Sequence, residues 1–509
     1  MSTPSDKYEE HVIASADSLL GQLQRGRGMG FLRALREGAT VSGPLLFDCM
    51  THDPRWDRQL ESRSDYYAAL LLQLGLPLDP FDAYLRVCAE TDSGDARDAE
   101  SIVLDTICAL AVRGDMSAIA IMRAYLTYGY DWESVFETLM EVANPRLNVD
   151  EVSRIIDQRF PDDDTLDDEL PWVGPGMHTR KEPWRSLRQV NPRVDRILSK
   201  HEKEEEQRQQ QQEMVQARLA RLSTAELLAL DVDSHMLQAR LARLSTAELL
   251  TLDVDLDAGS RMAYLVARAL QQHVTSADLD LLLQRAQDGA RWQRFVAFRG
   301  LQRLAHPAAL PVLQAFFESP DARPGSPYGG AIQAIVALPS SATLDLARDW
   351  FDAPDGSHRH VGLMILKTHA MATDVGRVRA ALLPSLERDT RATSECYMQC
   401  SMLEILARFP EPESYTAAEI VFKEAKYART RVDAAQVLAA SDRDRFAHSI
   451  ALECLWDCEE RVRVIGCNNV NLPGPEASPR LQAMAYDPYE DERVGRAAKE
   501  RLADWNPSP

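Results

Sequence analysis

Aromatic residues are scarce in this chain, at 7% of 509 positions. Runs of Val, Ile and Thr with alternating polarity are missing too. Both absences argue against a mostly β fold, because strands draw on aromatic and β-branched side chains. Cysteine is sparse, with eight in all, too few for a disulfide scaffold at this length. No apolar run approaches the ~20 residues that a membrane helix needs. The opening stretch MSTPSDKYEEHVIASADS is polar and acidic, without a signal-peptide core. A cytoplasmic protein with no membrane partner is expected. Positive charge is also short: 57 Lys and Arg against 78 Asp and Glu leave a net charge of -21. Such a field repels nucleic acid and anionic membrane over most of the surface, while leaving room for a local basic face.

What is present favours helices. Ala, Leu, Arg and Glu abound, and apolar residues recur at three and four spacing through residues 8–160. Segments 65–75, 80–90, 98–115, 116–129 and 131–143 each carry one apolar face. Residues 1–160 therefore read as an N-terminal helical block. An acidic run (161–170) and a Pro/Gly-rich stretch (171–184) then break the pattern. The segment SKHEKEEEQRQQQQE (199–213) has no apolar residue at all. It reads as a solvated helix or a disordered tether. Residues 161–215 are thus expected to be a polar connector. The basic stretch 180–200 reads as a solvated polyampholyte, with pairing to the acidic run 162–169 as the other option.

Residues 216–259 hold a tandem duplication. QARLARLSTAELLALDVD and QARLARLSTAELLTLDVD lie 22 residues apart and differ only at Ala229 against Thr251. In each copy a serine, Ser223 or Ser245, stands three residues before Glu226 or Glu248. That is the signature of a capping box. Each copy reads as the end of one short helix, a turn and the start of another, a unit that must stack on neighbours to bury its face.

From 260 to 509 the helical patterns fall into pairs, among them 291–306 with 307–319, 358–370 with 374–387, and 428–442 with 444–457. Val432, Val462 and Val494 hold matching places, spaced 30 and 32 residues. The stretches RTRVDAAQVLA, EERVRVIGCNNV and DERVGRAAKERLA share a charged turn, then Arg-Val, then small and apolar residues. In this they resemble HEAT-repeat proteins, closest to the bacterial type named after phycobilisome lyases. The resemblance covers about residues 260–509 and extends loosely over 65–160. It implies an all-α fold, an α-solenoid of HEAT-like helix pairs in two blocks joined by the polar linker. It also implies a non-catalytic scaffold or adaptor that holds a protein partner. The same family contains nucleic-acid-binding members resembling DNA glycosylases, and chromophore lyases, and these stand as alternatives.

Several constellations invite chemistry. Cys396 and Cys400 are four apart, as are Cys454 and Cys458, a spacing that puts two thiols on one helix face as a zinc site needs. The plainer reading makes them buried helix positions. The triple Asp253, Asp255 and Asp257 begins like a calcium loop, but Ala258 and Tyr264 stand where such a loop needs Gly and Glu. RGRGMG (25–30) has no preceding strand and reads as a turn between helices. No catalytic set declares itself, and nothing calls for a cofactor. The best candidate for partner binding is the helix 291–303, with Arg291, Trp292, Arg294, Arg299 and Arg303. Arginine beside aromatics can make interface hot spots or hold phosphates and bases. A helix with an aromatic core face and an arginine solvent face accounts for the same residues.

Overall fold

The computed structural model describes residues 13–91, 94–141, 148–170, 182–219, 235–252, 261–323, 325–388 and 395–505. Among these, every regular element is an α-helix or a short 3-10 turn, and no strand occurs. No described helix is long and apolar enough to cross a membrane. The first copy of the duplication and the Asp253–Asp257 triple lie almost wholly outside the described residues.

The helices start and stop where local chemistry directs them. Ser18 opens the helix Leu19–Gln24 by accepting from the Gly21 N–H at 3.0 Å. Asp115, Asn148 and Asp355 cap the helices that follow them in the same way. Each side chain satisfies an amide that the first helical turn leaves without a partner. Gly75 ends Ser64–Leu74 with φ at +62°, a left-handed conformation that glycine adopts without strain. In the second copy of the duplication, Ser245 and Glu248 form the expected capping box, between the helices His235–Leu241 and Thr246–Leu250.

Two compact units result. One joins residues 1–205 to 379–509, and the other comprises 206–378. The divisions do not follow the sequence blocks: the first unit draws on both ends of the chain. Its N-terminal part packs around a core running from Leu19 to Leu198, in which Trp184 meets Trp132 and Phe136 edge-on. The stretch expected to be a polar connector is helical at Asp163–Glu169, Trp184–Val190 and Pro192–Leu219. Val194, Ile197 and Leu198 anchor the last of these in the core, while most of 203–210 is exposed. That answers the choice left open for 199–213: the segment is helical, because an apolar stripe upstream nucleates it. The basic stretch is paired to the acidic run after all. Arg193 and Arg196 reach Asp163 at 2.8 and 2.9 Å, and Lys200 reaches Asp167 at 2.8 Å. Helical phase brings these side chains to one face, which composition alone does not reveal.

In residues 206–378, Arg291–Leu304 packs on Arg261–His273, on Leu279–Asp288 and on Ser326–Ala337, and the last packs in turn on Gly356–His369. In residues 379–509, Glu395–Arg408, Ala428–Ser441, Glu460–Asn469 and Glu492–Trp505 pack in succession, each on the next. The helices between them pack alongside, Ser414–Glu424 on Ala428–Ser441 and Ala477–Tyr486 on Glu492–Trp505.

Candidate functional site: a charged cleft over a buried arginine cluster

Three stretches of the first unit meet at one point: residues 25–27, 61–63 and 457–459. The first is Arg25-Gly26-Arg27, between Leu19–Gln24 and Gly28–Glu37. Gly26 sits at φ +66°, and a Cβ there would stand 2.4 Å from Cys458 Sγ. Only glycine fits both the dihedral and the contact. The Cys458 N–H donates to the Gly26 carbonyl at 2.9 Å. The backbone of Glu453 lies just as close to Gly28, where a Cβ would fall 1.9 Å from its carbonyl oxygen. The turn read from RGRGMG is therefore a docking surface inside the unit.

Four arginines surround this contact. Arg25 donates to the carbonyls of Ala14, Gly21 and Glu424 at 2.8, 2.9 and 3.2 Å. Burial, opposed by nearby Glu424, lowers its pKa to about 10. Arg27 reaches Glu453 through Nε and Nη2 at 3.0 and 2.8 Å. Arg63, with its side chain 0% exposed, donates to Cys458 Sγ at 3.1 Å, to the Gln24 carbonyl at 3.2 Å and to Glu61 at 3.2 Å. Glu61 also accepts the Ala428 N–H at 2.8 Å. Arg431, again 0% exposed, pairs with Asp457 at 3.0 Å and approaches Cys458 Sγ at 3.4 Å. Buried charges of this kind persist only where each is paired. Cys458 feels both signs. Burial pushes its thiol up, Arg63 pulls it down and Asp457 pushes it up again, leaving it at about 11. The thiol is thus protonated near neutrality, a poor nucleophile and a poor metal ligand.

Above the cluster opens a cleft of about 690 Å³. Its walls include Phe31, Tyr66, Trp456 and Tyr489, and half-buried Cys458 lies in its lining. Six carboxylates face three guanidiniums there. Asp65 pairs with Arg113 at 2.8 Å, and Glu490 with Arg463 at 2.8 Å. Arg113 also lies over the Tyr489 ring, 5.3 Å from its centroid, and Arg480 over Trp456 at 5.5 Å. Among the described residues, no Lys, Arg or His pairs with Glu460, Asp487 or Asp491. Crowding shows beside the cleft: burial, then Glu460 and Asp457, raise the Glu459 carboxyl to about 7.

The residues singled out in the sequence lie elsewhere or do other work. Trp292 is 5% exposed and Phe295 and Phe298 are buried, so the aromatic side of Arg291–Leu304 serves the core. Arg291 and Arg303 are exposed and Arg299 is half-buried. Arg294 donates to the Gly289 carbonyl at 3.0 Å and pairs with Asp321 at 2.7 Å. Cys396 and Cys400 are buried in a small cluster with Tyr427 and Trp56. Cys454 is buried, and only Cys458 of the four borders the cleft. Among the described residues, no group of three or more His, Cys, Asp or Glu side chains is placed to hold a metal ion.

Sequence reasoning missed Arg25, Arg27, Arg63, Arg431 and Asp457. One signal was available. RGRG opens a helix with arginines in place of the usual capping residues, and unpaired arginines flanking tight glycines need acids from elsewhere in the chain. Comparisons with protein-family models, with curated proteins and with solved structures found no match.

Proposed function

We propose that the chain is a non-catalytic, HEAT-like helical-repeat adaptor whose work is to hold a protein partner. The observation that carries this reading is a recurring ion pair. Arg294–Asp321, Arg348–Asp374, Arg431–Asp457 and Arg463–Glu490 are separated by 27, 26, 26 and 27 residues. Counting 443–454 as one helix interrupted at Ile450, each pair ties a helix to the turn that opens the helix after next. Arg431–Asp457 and Arg463–Glu490 start on the first helices of successive pairs, as stacked units that bury their faces against neighbours would have them, whereas Arg348–Asp374 runs from the second helix of one pair to the second helix of the next. The succession of helices packing on the next but one, seen within each unit, supports the same reading. Repeat proteins of this kind present long surfaces suited to macromolecules. The cleft adds a concave site of the size that ligands and peptide side chains occupy. Its thiol is held protonated, which fits binding better than nucleophilic chemistry.

Affinity capture from native lysate, with and without nuclease, tests this proposal. A defined set of protein partners that survives nuclease supports the adaptor. Partners that vanish with nuclease, alongside recovered DNA or RNA, would replace it with the nucleic-acid reading.

A further inference from the structure

We infer that the cleft takes an arginine-bearing segment of the protein partner, with a guanidinium set against Tyr489 and among the carboxylates of Glu460, Asp487 and Asp491. This inference rests on the adaptor reading and names the chemistry of the partner.

Charge complementarity is the first argument. Of the six carboxylates in the lining, Asp65, Glu490 and Asp457 pair with Arg113, Arg463 and Arg431, which leaves Glu460, Asp487 and Asp491 against the guanidinium of Arg480; Asp487 also accepts the Tyr489 N–H, and Asp491 those of Arg493 and Val494. A cation entering the cleft relieves that crowding. Burial first, and then the charges of Glu460 and Asp457, raise the neighbouring Glu459 carboxyl.

The second argument is independent of charge count. The cleft already holds one guanidinium in the proposed manner. Arg113 makes a 2.8 Å ion pair with Asp65 while lying over Tyr489. A planar cation between a carboxylate and an aromatic ring is a favourable arrangement for arginine. Tyr489 is still 44% exposed, and Leu72 on the opposite part of the chain is 43% exposed. Both are apolar surface available to the stem of an incoming side chain.

A third observation favours a peptide over a free small cation. Arg463 lines the cleft, and its Nε is buried without a hydrogen-bond partner. Unsatisfied buried donors are uncommon and call for an acceptor.

The test uses the full chain and two short fluorescein-labelled peptides. One alternates arginine with serine, and the other replaces each arginine with citrulline, which is isosteric and neutral. Fluorescence anisotropy is read at low salt and at ~0.3 M salt, where screening weakens exposed charge pairs. The arginine peptide is expected to bind at least roughly tenfold tighter than the citrulline peptide and to weaken with salt. Glu460→Gln with Asp487→Asn should weaken it roughly tenfold with the far-ultraviolet circular dichroism unchanged and the thermal midpoint not lowered. Tyr489→Ala, at an exposed position, serves as a second variant and should weaken it as well. Equal binding of the two peptides, equal binding by wild type and variants, or no binding overturns the inference. Capture from lysate separates this failure from failure of the adaptor reading. Partners retained equally by wild type and the double variant leave the adaptor standing without the cleft, whereas no nuclease-resistant partner removes both.

Discussion

Arg63 donates through Nη1 to Cys458 Sγ at 3.1 Å, across 395 residues of chain. The same guanidinium holds Glu61, which in turn accepts the Ala428 N–H. One side chain thus ties a loop near the N-terminus to the turns ahead of the helices Ala428–Ser441 and Glu460–Asn469. Removing it leaves Glu61 buried without its cation. Arg63→Met is expected to cost about 3–5 kcal/mol, the range for breaking one partner out of a buried ion pair. Urea denaturation checks this, and a loss below about 1 kcal/mol would mean that the cluster is not a keystone.

Gly26 offers a separable test of the same contact. Its φ of +66° is strained for any residue with a Cβ, and a Cβ there would meet Cys458 Sγ. Gly26→Ala should destabilise by roughly 1–3 kcal/mol from the dihedral, with a further amount from the collision. Adding Cys458→Ala removes the 2.4 Å contact with Sγ but leaves the Cβ of residue 458 at 2.8 Å, so it should recover only part of the collision and none of the dihedral cost. Full additivity of the two changes in chemical denaturation would contradict the packing described.

Glu459 gives a pH dependence of definite sign. Its carboxyl is raised from 4.5 to about 7 by burial and by Glu460 and Asp457. Between those values the native state binds a proton that the unfolded chain has lost, so stability falls as pH rises, and the whole penalty is present above about 7. Glu459→Gln should therefore stabilise the protein at pH 8 by on the order of 1–3 kcal/mol and change little at pH 4. Thermal midpoints of both proteins across that range provide the check, and a benefit that is larger at low pH would reverse the assignment.

Cys458 should behave as a protonated thiol. With its pKa pushed up to about 11, its reaction with a disulfide reagent should be slow at pH 7 and rise about tenfold per pH unit through pH 9, in proportion to the thiolate fraction. Residue-resolved mass spectrometry follows this one cysteine. A rate that levels off below pH 8 would show that Arg63 and Arg431 overcome burial, and would reopen a catalytic role.

Much of the helical layout was legible because it is written locally. The expected stretch 428–442 is the helix Ala428–Ser441, and 358–370 is Gly356–His369. Capping residues and apolar spacing are properties of a few neighbouring positions. The site was not legible, for a reason visible in Arg431. From sequence it belongs to RTRVDAAQVLA and reads as a charged residue at the start of a helix. In the fold it is fully buried, because Asp457 and Cys458 come to it from the next turn and the RGRG loop closes over them. No local pattern announces partners that arrive from 26 and several hundred residues away. For the aromatic–arginine helix the plainer reading holds: Trp292, Phe295 and Phe298 are buried in the core.

The most direct test of the cleft as the place of binding is hydrogen–deuterium exchange of the full chain with and without the arginine–serine peptide. Slower exchange in both 62–73 and 456–491, which together form the cleft walls, is the expected result. Protection that appears instead in 291–304, or in neither region, would contradict it.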